Sequence, residues 1–105
     1  MTQHISMDDL HEQLAQIGNK DLILDVRTPE EYVSGHVPGS KNIPLGEIGG
    51  RHSELHGFDK IFVYCQAGRR SQVAAMTLES LGFKNIICIS TFGMGHWIAS
   101  GFPVE

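Results

Sequence analysis

The sequence predicts an α/β fold in which a central parallel sheet carries helices on both faces. Short apolar segments alternate along the chain with segments of helical periodicity, which is typical of repeated β–α units. The segments 22–26 and 61–64 are apolar almost without a break, as strands are when both faces of their sheet are covered. At 105 residues, the chain is expected to form one domain over residues 1–105.

The first predicted element is a helix that begins after Ser6. Ser6 can cap its N-terminus, and Asp9, three residues later, completes a capping box. Apolar residues then recur at helical spacing until Gly18 ends the pattern. The strand 22–26 follows, and its apolar run is interrupted only by the carboxylate of Asp25.

A second helix is predicted to start at Thr28, whose side chain can cap it. Pro29 suits the first helical position, and Glu31 stands three residues after the cap. This helix is expected to be short because Gly35 soon follows. The pair Ile43-Pro44 is predicted to form a brief edge-like segment, since proline cannot donate a hydrogen bond to a central ladder.

The second half of the chain predicts two more strands and two clear helices. A weak helical pattern over 45–55 is followed by the strand 61–64, and 86–89 is the last clear strand. A helix behind 61–64 is predicted to end at Gly82, and a short final helix starts near Gly93. The apolar face expected for the longer helix comprises Val73, Ala74, Met76, Thr77, Leu78 and Leu81.

Cys65 stands where the strand 61–64 gives way to a loop that contains glycine and leads into a helix. In such a position, backbone N–H groups converge on the sulfur, and the helix N-terminus adds partial positive charge. Both effects favour the thiolate, which is the nucleophilic form. Arg69 and Arg70 add two cations to the loop, at the sheet edge where sites of parallel sheets lie. The sequence therefore predicts cysteine chemistry on an anionic substrate.

Composition argues against several other classes of function. The net charge of -4 argues against non-specific nucleic-acid binding, and the apolar stretches are too short to cross a membrane. The N-terminal residues show no secretory signal, and two cysteines are too few for a disulfide scaffold. A free reactive thiol suits a reducing compartment, so a cytoplasmic location is expected. The six histidines show no ligand spacing, so no metal site and no cofactor are predicted.

The loop also resembles that of a known family. Residues 65–71 are similar to the Cys-x-x-Gly-x-Arg-Ser active-site loop of the rhodanese-type sulfurtransferases. Further stretches resemble the same family in the same order along nearly the whole chain: Leu24-Asp25-Val26-Arg27, Glu30-Glu31-Tyr32, Gly35-His36-Val37-Pro38-Gly39-Ser40, Asn42-Ile43-Pro44-Leu45 and Gly93-Met94-Gly95-His96-Trp97. Phe92 replaces the first glycine of the family's Gly-Gly-Met, which is expected to affect the geometry of a turn rather than the loop.

The resemblance implies a rhodanese-like fold with about five parallel strands, and it implies a reaction. A sulfane sulfur would pass from a small anionic donor such as thiosulfate to Cys65, forming a persulfide, and then to cyanide or a thiol, including a thiol-bearing protein. No cofactor or metal is implied. Asp25 and Arg27 are expected to support the site. The residues expected to bind the substrate are Gln66, Ala67, Gly68, Arg69, Arg70 and Ser71.

Two alternatives accompany this interpretation. Cysteine phosphatases and arsenate reductases resemble a His-Cys-x-x-x-x-x-Arg pattern, whereas Tyr64 precedes the cysteine here and position 71 is Ser71. Arg70 comes one residue early, so the shorter loop suits a single extra sulfur better than a tetrahedral oxyanion. The other alternative is a non-catalytic binding or sulfur-carrier module. The presence of Cys65 disfavours a binding module, because such modules of the family usually lack the cysteine.

Individual residues carry further expectations. One of Arg69 and Arg70 should face the substrate and the other a carboxylate. Ser71 is expected to cap the following helix, to donate a hydrogen bond to sulfur, or to do both. Asp25 and Arg27 are expected to form an ion pair that braces the site.

Four residues outside the loop are expected to have structural roles. Cys88, inside the apolar strand 86–89, is most simply a small core residue. The less favoured role of a resolving thiol would require its strand to neighbour that of Cys65. Trp97 and Phe102 are expected to anchor the core. His36 is expected to shape a turn rather than to act as an acid or base.

Overall fold

A computed structural model describes residues 2–105 as five parallel strands with five α-helices. The strands are β1 Gln3–Ser6, β2 Asp21–Asp25, β3 Lys41–Asn42, β4 Lys60–Tyr64 and β5 Ile86–Thr91. The helices are α1 Met7–Gln13, α2 Pro29–Ser34, α3 Ile48–Arg51, α4 Arg69–Ser80 and α5 Met94–Ala99. The strand order is β1-β5-β4-β2-β3, so β4 lies at the centre, and the α/β fold is as predicted.

Each face of the sheet is covered by its own apolar cluster. On one face, α3 and α4 pack with residues such as Leu78 against Val63 and Ile86. On the other face, α1 and α5 bring Leu10 and Trp97 against side chains including Phe62. This two-sided burial explains why the central strands are nearly all apolar. None of the helices in residues 2–105 combines the length and the apolar character needed to span a membrane.

Local signals in the sequence located the first two helices. Ser6 and Asp9 form the predicted capping box, as do Thr28 and Glu31, in which each side chain accepts from the backbone N–H of the other residue. Gly35 ends α2 with φ +152°, a conformation that favours glycine.

The two edge strands differ from expectation. β1 was not predicted: three of its four residues are polar and none is buried, and only pairing with β5 makes them a strand. β3 lies at Lys41–Asn42, two residues before the predicted Ile43-Pro44. Ile43 still donates to Asp25 O over 3.0 Å, but Pro44 has no N–H with which to continue the ladder.

The weak helical pattern over 45–55 is three short turns rather than one helix. Two 3₁₀ turns, Leu45–Glu47 and His52–Leu55, flank the four-residue α3. The glycines in the middle of this segment disfavour a longer helix. Ile48 and Leu55 nevertheless reach the core, as the apolar pattern indicated.

The predicted apolar face of α4 is partly wrong. Val73, Met76 and Leu81 are 48%, 69% and 40% exposed, whereas the helix buries Ser71, Ala74, Ala75 and Leu78. The helix turns its small residues towards the sheet, which lets its backbone approach β5 closely. The larger apolar side chains are left at the surface.

Candidate active site

Cys65 follows β4 directly, at the carboxyl end of the central strand. Its side chain is only 1% exposed. The sulfur accepts hydrogen bonds from the backbone N–H groups of Gly68, over 3.1 Å, and Ser71, over 3.3 Å. The loop therefore wraps around the sulfur and turns its amide hydrogens inward, as a site for an anionic sulfur would require.

Gly68 makes this wrapping possible. It is the N-cap residue of α4 and has φ +103°, a conformation that L side chains rarely adopt. A Cβ at this position would lie 2.5 Å from the carbonyl oxygen of Ser90, on β5. The loop thus needs glycine both for its backbone conformation and for its close approach to the neighbouring strand.

The environment of Cys65 lowers the pKa of its thiol, although two effects oppose each other. Burial is the largest effect and by itself raises the pKa. Hydrogen bonding with the Ser71 side chain and hydrogen bonds from the backbone N–H groups of Ser71, Ala67 and Gly68 together outweigh burial. The resulting pKa lies below the ordinary value of 9.0, so the thiolate is favoured.

Ser71 links the sulfur to the sheet. Its hydroxyl oxygen lies 3.5 Å from the Cys65 sulfur and 2.7 Å from the carbonyl oxygen of Ile89, to which it can donate. Of the two roles expected for Ser71, the helix cap is wrong because Gly68 occupies the N-cap position. Ser71 lies instead inside the first turn of α4, where its hydroxyl contacts the sulfur.

The two arginines of the loop have different environments. The Arg70 guanidinium binds the Glu31 carboxylate through two hydrogen bonds, of 2.7 and 3.0 Å. These bonds are the main reason that the pKa of Glu31 falls to about 2. Arg69 is exposed and lines an open groove beside Gly68 and Val73, and no carboxylate of residues 2–105 forms a salt bridge with it. Arg70 is therefore the arginine that faces a carboxylate.

Asp25 and Arg27 form a buried brace at the end of β2. Arg27 is 3% exposed, and its Nη2 atom lies 2.7 Å from Asp25 Oδ2. The same guanidinium donates to Gly35 O over 2.8 Å and to the Gln66 side-chain oxygen over 3.3 Å. The ion pair expected from the sequence is present, and through Gln66 it reaches the loop.

A turn between β5 and α5 also holds the loop, which the sequence analysis missed. Met94 N–H donates to Cys65 O over 2.9 Å, and Gly95 N–H donates to Gln66 O over 3.2 Å. A Cβ at Gly93 would overlap Cys65 O, so this turn packs on the loop backbone. Phe92, with φ +65°, lies in this turn, as expected. The expectation did not include the contact between the turn and the loop.

Several candidate residues are structural, as expected. Trp97 is fully buried, and its indole N–H donates to Pro103 O over 2.6 Å. His36 stacks on Tyr32 with ring centroids 3.7 Å apart. Cys88 is fully buried in β5, and burial raises the pKa of its thiol. Phe102 is only partly buried and packs against the cluster around Trp97.

Tyr64 occupies the position that the phosphatase pattern gives to histidine. It is fully buried, and its hydroxyl oxygen accepts from Val37 N–H over 3.1 Å. Burial is the main reason that the pKa of Tyr64 is raised, so the hydroxyl stays protonated near neutral pH. Within residues 2–105, no group of three or more His, Cys, Asp or Glu side chains is placed to hold a metal ion.

Sequence reasoning also missed the role of Glu31 at the loop. The sequence analysis named Glu31 in a helix cap and in a stretch that resembles the family, but did not pair it with an arginine 39 residues away. The available signal was indirect: α2 begins just beyond the end of β2, and adjacent parallel strands place their carboxyl ends at the same edge of a sheet. The glycines of the turn at 93–95 gave no comparable indication of which backbone they approach.

Comparison with known proteins agrees with this architecture. Residues 6–100 match the family described as the rhodanese-like domain. The putative sulfur carrier protein YrkF of Bacillus subtilis is 48% identical over 75 residues, or 71% of this chain and 40% of YrkF. The thiosulfate sulfurtransferase PspE of Escherichia coli is 40% identical over 65 residues, or 60% of this chain and 62% of PspE. The chain thus spans less than two thirds of either relative.

Solved structures give the same picture. A rhodanese-related protein from Thermoplasma volcanium is 34% identical with a TM-score of 0.83, and the match covers 98% of this chain and 97% of that one. A Rhodopseudomonas palustris protein of unknown function, described as a possible tyrosine phosphatase, is 25% identical with a TM-score of 0.86. That match covers 99% of this chain and 85% of the other.

Proposed function

This chain belongs to the rhodanese-like domain family, and on that premise we propose that it is a sulfurtransferase that carries sulfur as a persulfide on Cys65. The observation that carries the proposal is the pair of N–H groups, from Gly68 and Ser71, aimed at the Cys65 sulfur. They favour the thiolate that must attack the donor. The same N–H groups can stabilise the negative charge that a persulfide retains on its terminal sulfur.

The proposed reaction has two steps. In the first, the Cys65 thiolate attacks the outer sulfur of thiosulfate, a new S–S bond forms, and the S–S bond of thiosulfate breaks as sulfite leaves with its electron pair. In the second, cyanide attacks the terminal sulfur of the persulfide, thiocyanate leaves and the Cys65 thiolate is restored. A thiolate acceptor, including one on a protein, would take the sulfur in the same way. The proposal includes no general base, because the lowered pKa of Cys65 favours the thiolate that attacks.

The other residues of the site have supporting roles in this proposal. Arg69, exposed beside the loop, attracts the anionic donor. Arg27 holds the Gln66 side chain, while Asp25 holds Arg27. A loop that surrounds one sulfur atom must keep its N–H groups directed at that atom. In this proposal, the contacts of Gln66 and Arg27 favour sulfur transfer because they hold the loop in that arrangement. A free thiol at Cys65 suits a reducing compartment, and we propose the cytoplasm.

The loop geometry favours sulfur over phosphorus. A phosphatase loop of this kind needs an arginine that faces the bound oxyanion, whereas Arg70 is engaged by Glu31. Tyr64 stands in the place of the histidine and is buried away from solvent. The possible phosphatase among the similar structures shares the fold, but the fold does not determine the reaction.

A carrier that is loaded and unloaded once per encounter is the second candidate, and the name of YrkF favours it. The decisive experiment is intact-mass measurement after incubation with thiosulfate, followed by thiosulfate–cyanide turnover. We expect added mass of one sulfur, lost on treatment with dithiothreitol, and thiocyanate in excess over protein. Persulfide without turnover would favour the carrier, and aryl-phosphate hydrolysis without persulfide would contradict both.

A further inference from the structure

Glu31 joins two parts of the molecule that are distant in sequence. Its carboxylate accepts two hydrogen bonds from Arg70, of 2.7 and 3.0 Å. The same carboxylate accepts from the backbone N–H of Thr28 over 3.0 Å, as part of the cap of α2. The cap holds Glu31 in place, so Arg70 meets a carboxylate that is already oriented. Such a bidentate arrangement is stronger than an ordinary surface ion pair.

The pair lies at the mouth of the proposed site. The Val26 N–H donates to Tyr64 O over 3.1 Å, so the chain leaving β2 runs beside the chain that enters the cysteine loop. The side chains of Glu31 and Arg70 are 32% and 35% exposed, which places them where solvent and the loop meet. The thiolate of Cys65 is among the charges that raise the pKa of Arg70, as expected for neighbours.

This arrangement changes the charge that the loop presents to a donor. The loop carries Arg69 and Arg70, but the Glu31 carboxylate neutralises one of these cations. We propose that Glu31 is a specificity-determining residue: by engaging Arg70, it makes the site less selective for dianionic sulfur donors over monoanionic ones. This inference rests on the proposed function and names the class of donor that the site accepts.

The physical reason is that electrostatic attraction scales with the charge of the donor. A dianion such as thiosulfate gains twice as much as a monoanion from each added positive charge. Removing the Glu31 charge should therefore help both donors, but help the dianion more. If Glu31 served only to brace the loop, its loss would impair both donors to the same extent.

The test compares two donors that deliver the same sulfane sulfur. Thiosulfate is a dianion and methanethiosulfonate a monoanion, and both leave behind an oxidised sulfur anion. In Glu31→Gln, which keeps a hydrogen-bond acceptor for Arg70, we expect the ratio of kcat/KM for thiosulfate to that for methanethiosulfonate to rise about threefold. In Arg70→Gln, which leaves the Glu31 charge without its partner, the ratio should fall.

Two control variants separate charge from structure. Glu30→Gln makes the same charge change one residue away, on an exposed side chain of α2, and should leave the ratio unchanged. Thr28→Ala removes the side-chain cap of α2 but keeps the Glu31 carboxylate, so it should lower stability without changing the ratio. A ratio that moves as much in either control as in Glu31→Gln would overturn the proposal.

A second measurement does not depend on sulfur transfer. In a Cys88→Ser background, Cys65 is alkylated with anionic iodoacetate and, separately, with neutral iodoacetamide. The quotient of the two alkylation rates, iodoacetate over iodoacetamide, is then compared between variants. Glu31→Gln should raise this quotient, and an unchanged quotient would contradict the charge role of Glu31. If the quotient rises while neither donor transfers sulfur to the parent protein, the proposed function fails and the charge role stands.

Discussion

Cys88 lies on β5 and Cys65 directly follows the neighbouring strand β4, and both contribute to the same apolar cluster. The first is 1% exposed and the second fully buried, yet their pKa values shift in opposite directions. Burial raises the pKa of both thiols, but only Cys65 has N–H groups from Gly68 and Ser71 directed at its sulfur. Cys88 stands within β5, where the backbone serves the ladder to β4. The N–H groups of the loop, and not a difference in exposure, account for the opposite pKa shifts of the two thiols.

The largest effect on this comparison is expected when each cysteine in turn is replaced by serine. We expect Cys65→Ser to lower thiosulfate–cyanide turnover by at least about 10³-fold, because serine cannot hold a persulfide. Cys88→Ser should keep most of the activity, since that thiol packs in the apolar cluster and burial raises its pKa. Turnover and thermal unfolding are measured on both variants. If Cys88→Ser were the inactive one, the site would be misplaced.

The difference between the pKa values of Cys65 and Cys88 should become smaller if the loop cannot close around the Cys65 sulfur. Gly68→Ala places a Cβ 2.5 Å from Ser90 O at φ +103°, so it should cost about 1–3 kcal/mol of stability and raise the pKa of Cys65. Sulfur transfer near neutral pH should fall with the thiolate fraction. The measurements are thermal unfolding and the pH dependence of alkylation.

Gly57→Ala is the matched control for that variant. Gly57 has φ +95°, but a Cβ there would meet nothing within 4 Å. It should therefore show the conformational cost of a positive φ without any change in the thiol. An equal rise of the Cys65 pKa in both variants would show that the loop contact is not its cause.

Removing a single hydrogen-bonding group near the sulfur should shift the pKa of Cys65 less than opening the whole loop does. The Ser71→Ala variant loses the hydroxyl near the sulfur and should move the pH profile of alkylation towards alkaline pH, by less than Gly68→Ala does. Thr77→Ala is the control, because its hydroxyl donates to a backbone carbonyl on an exposed part of the same helix. A shift of the same size in Thr77→Ala, or none in Ser71→Ala, would contradict this role.

The lowered pKa of Cys65 also predicts how stability depends on pH. The folded protein ionises this thiol at a lower pH than the unfolded chain, so folding gains free energy as pH rises from the folded pKa towards the ordinary value of 9.0. That contribution is lost as pH falls through the folded pKa. The difference in unfolding free energy between the parent and Cys65→Ser should grow with pH over this window, as chemical denaturation can measure.

The smallest effect is expected for Arg69, whose proposed role is to attract the anionic sulfur donor. Arg69→Gln should raise the KM for thiosulfate about threefold and that for methanethiosulfonate less, with little change in stability, because its side chain is exposed. Arg51→Gln is the control, since Arg51 pairs with Glu47 and Glu54 on another part of the surface. Equal effects of Arg69→Gln on both donors would indicate a structural role instead.

The sequence alone located the features that depend on near neighbours. The capping boxes at Ser6 and Thr28 each join residues three positions apart, so their signals are complete within one turn of helix. The position of Cys65 after an apolar strand likewise needed only the order of elements. Asp25 and Arg27, two residues apart, were correctly expected to pair.

The tertiary structure decided which distant segments meet. The strand order β1-β5-β4-β2-β3 makes Gln3–Ser6 a strand and brings the turn at 93–95 onto the Cys65 loop. It also carries Glu31 to Arg70 and so distinguishes the two arginines, which the motif presents as equals. Helical periodicity could not show that Val73 and Met76 are exposed, because small residues of α4 pack more closely on β5. Contacts of this kind depend on how elements pack, and no local pattern of residues encodes them.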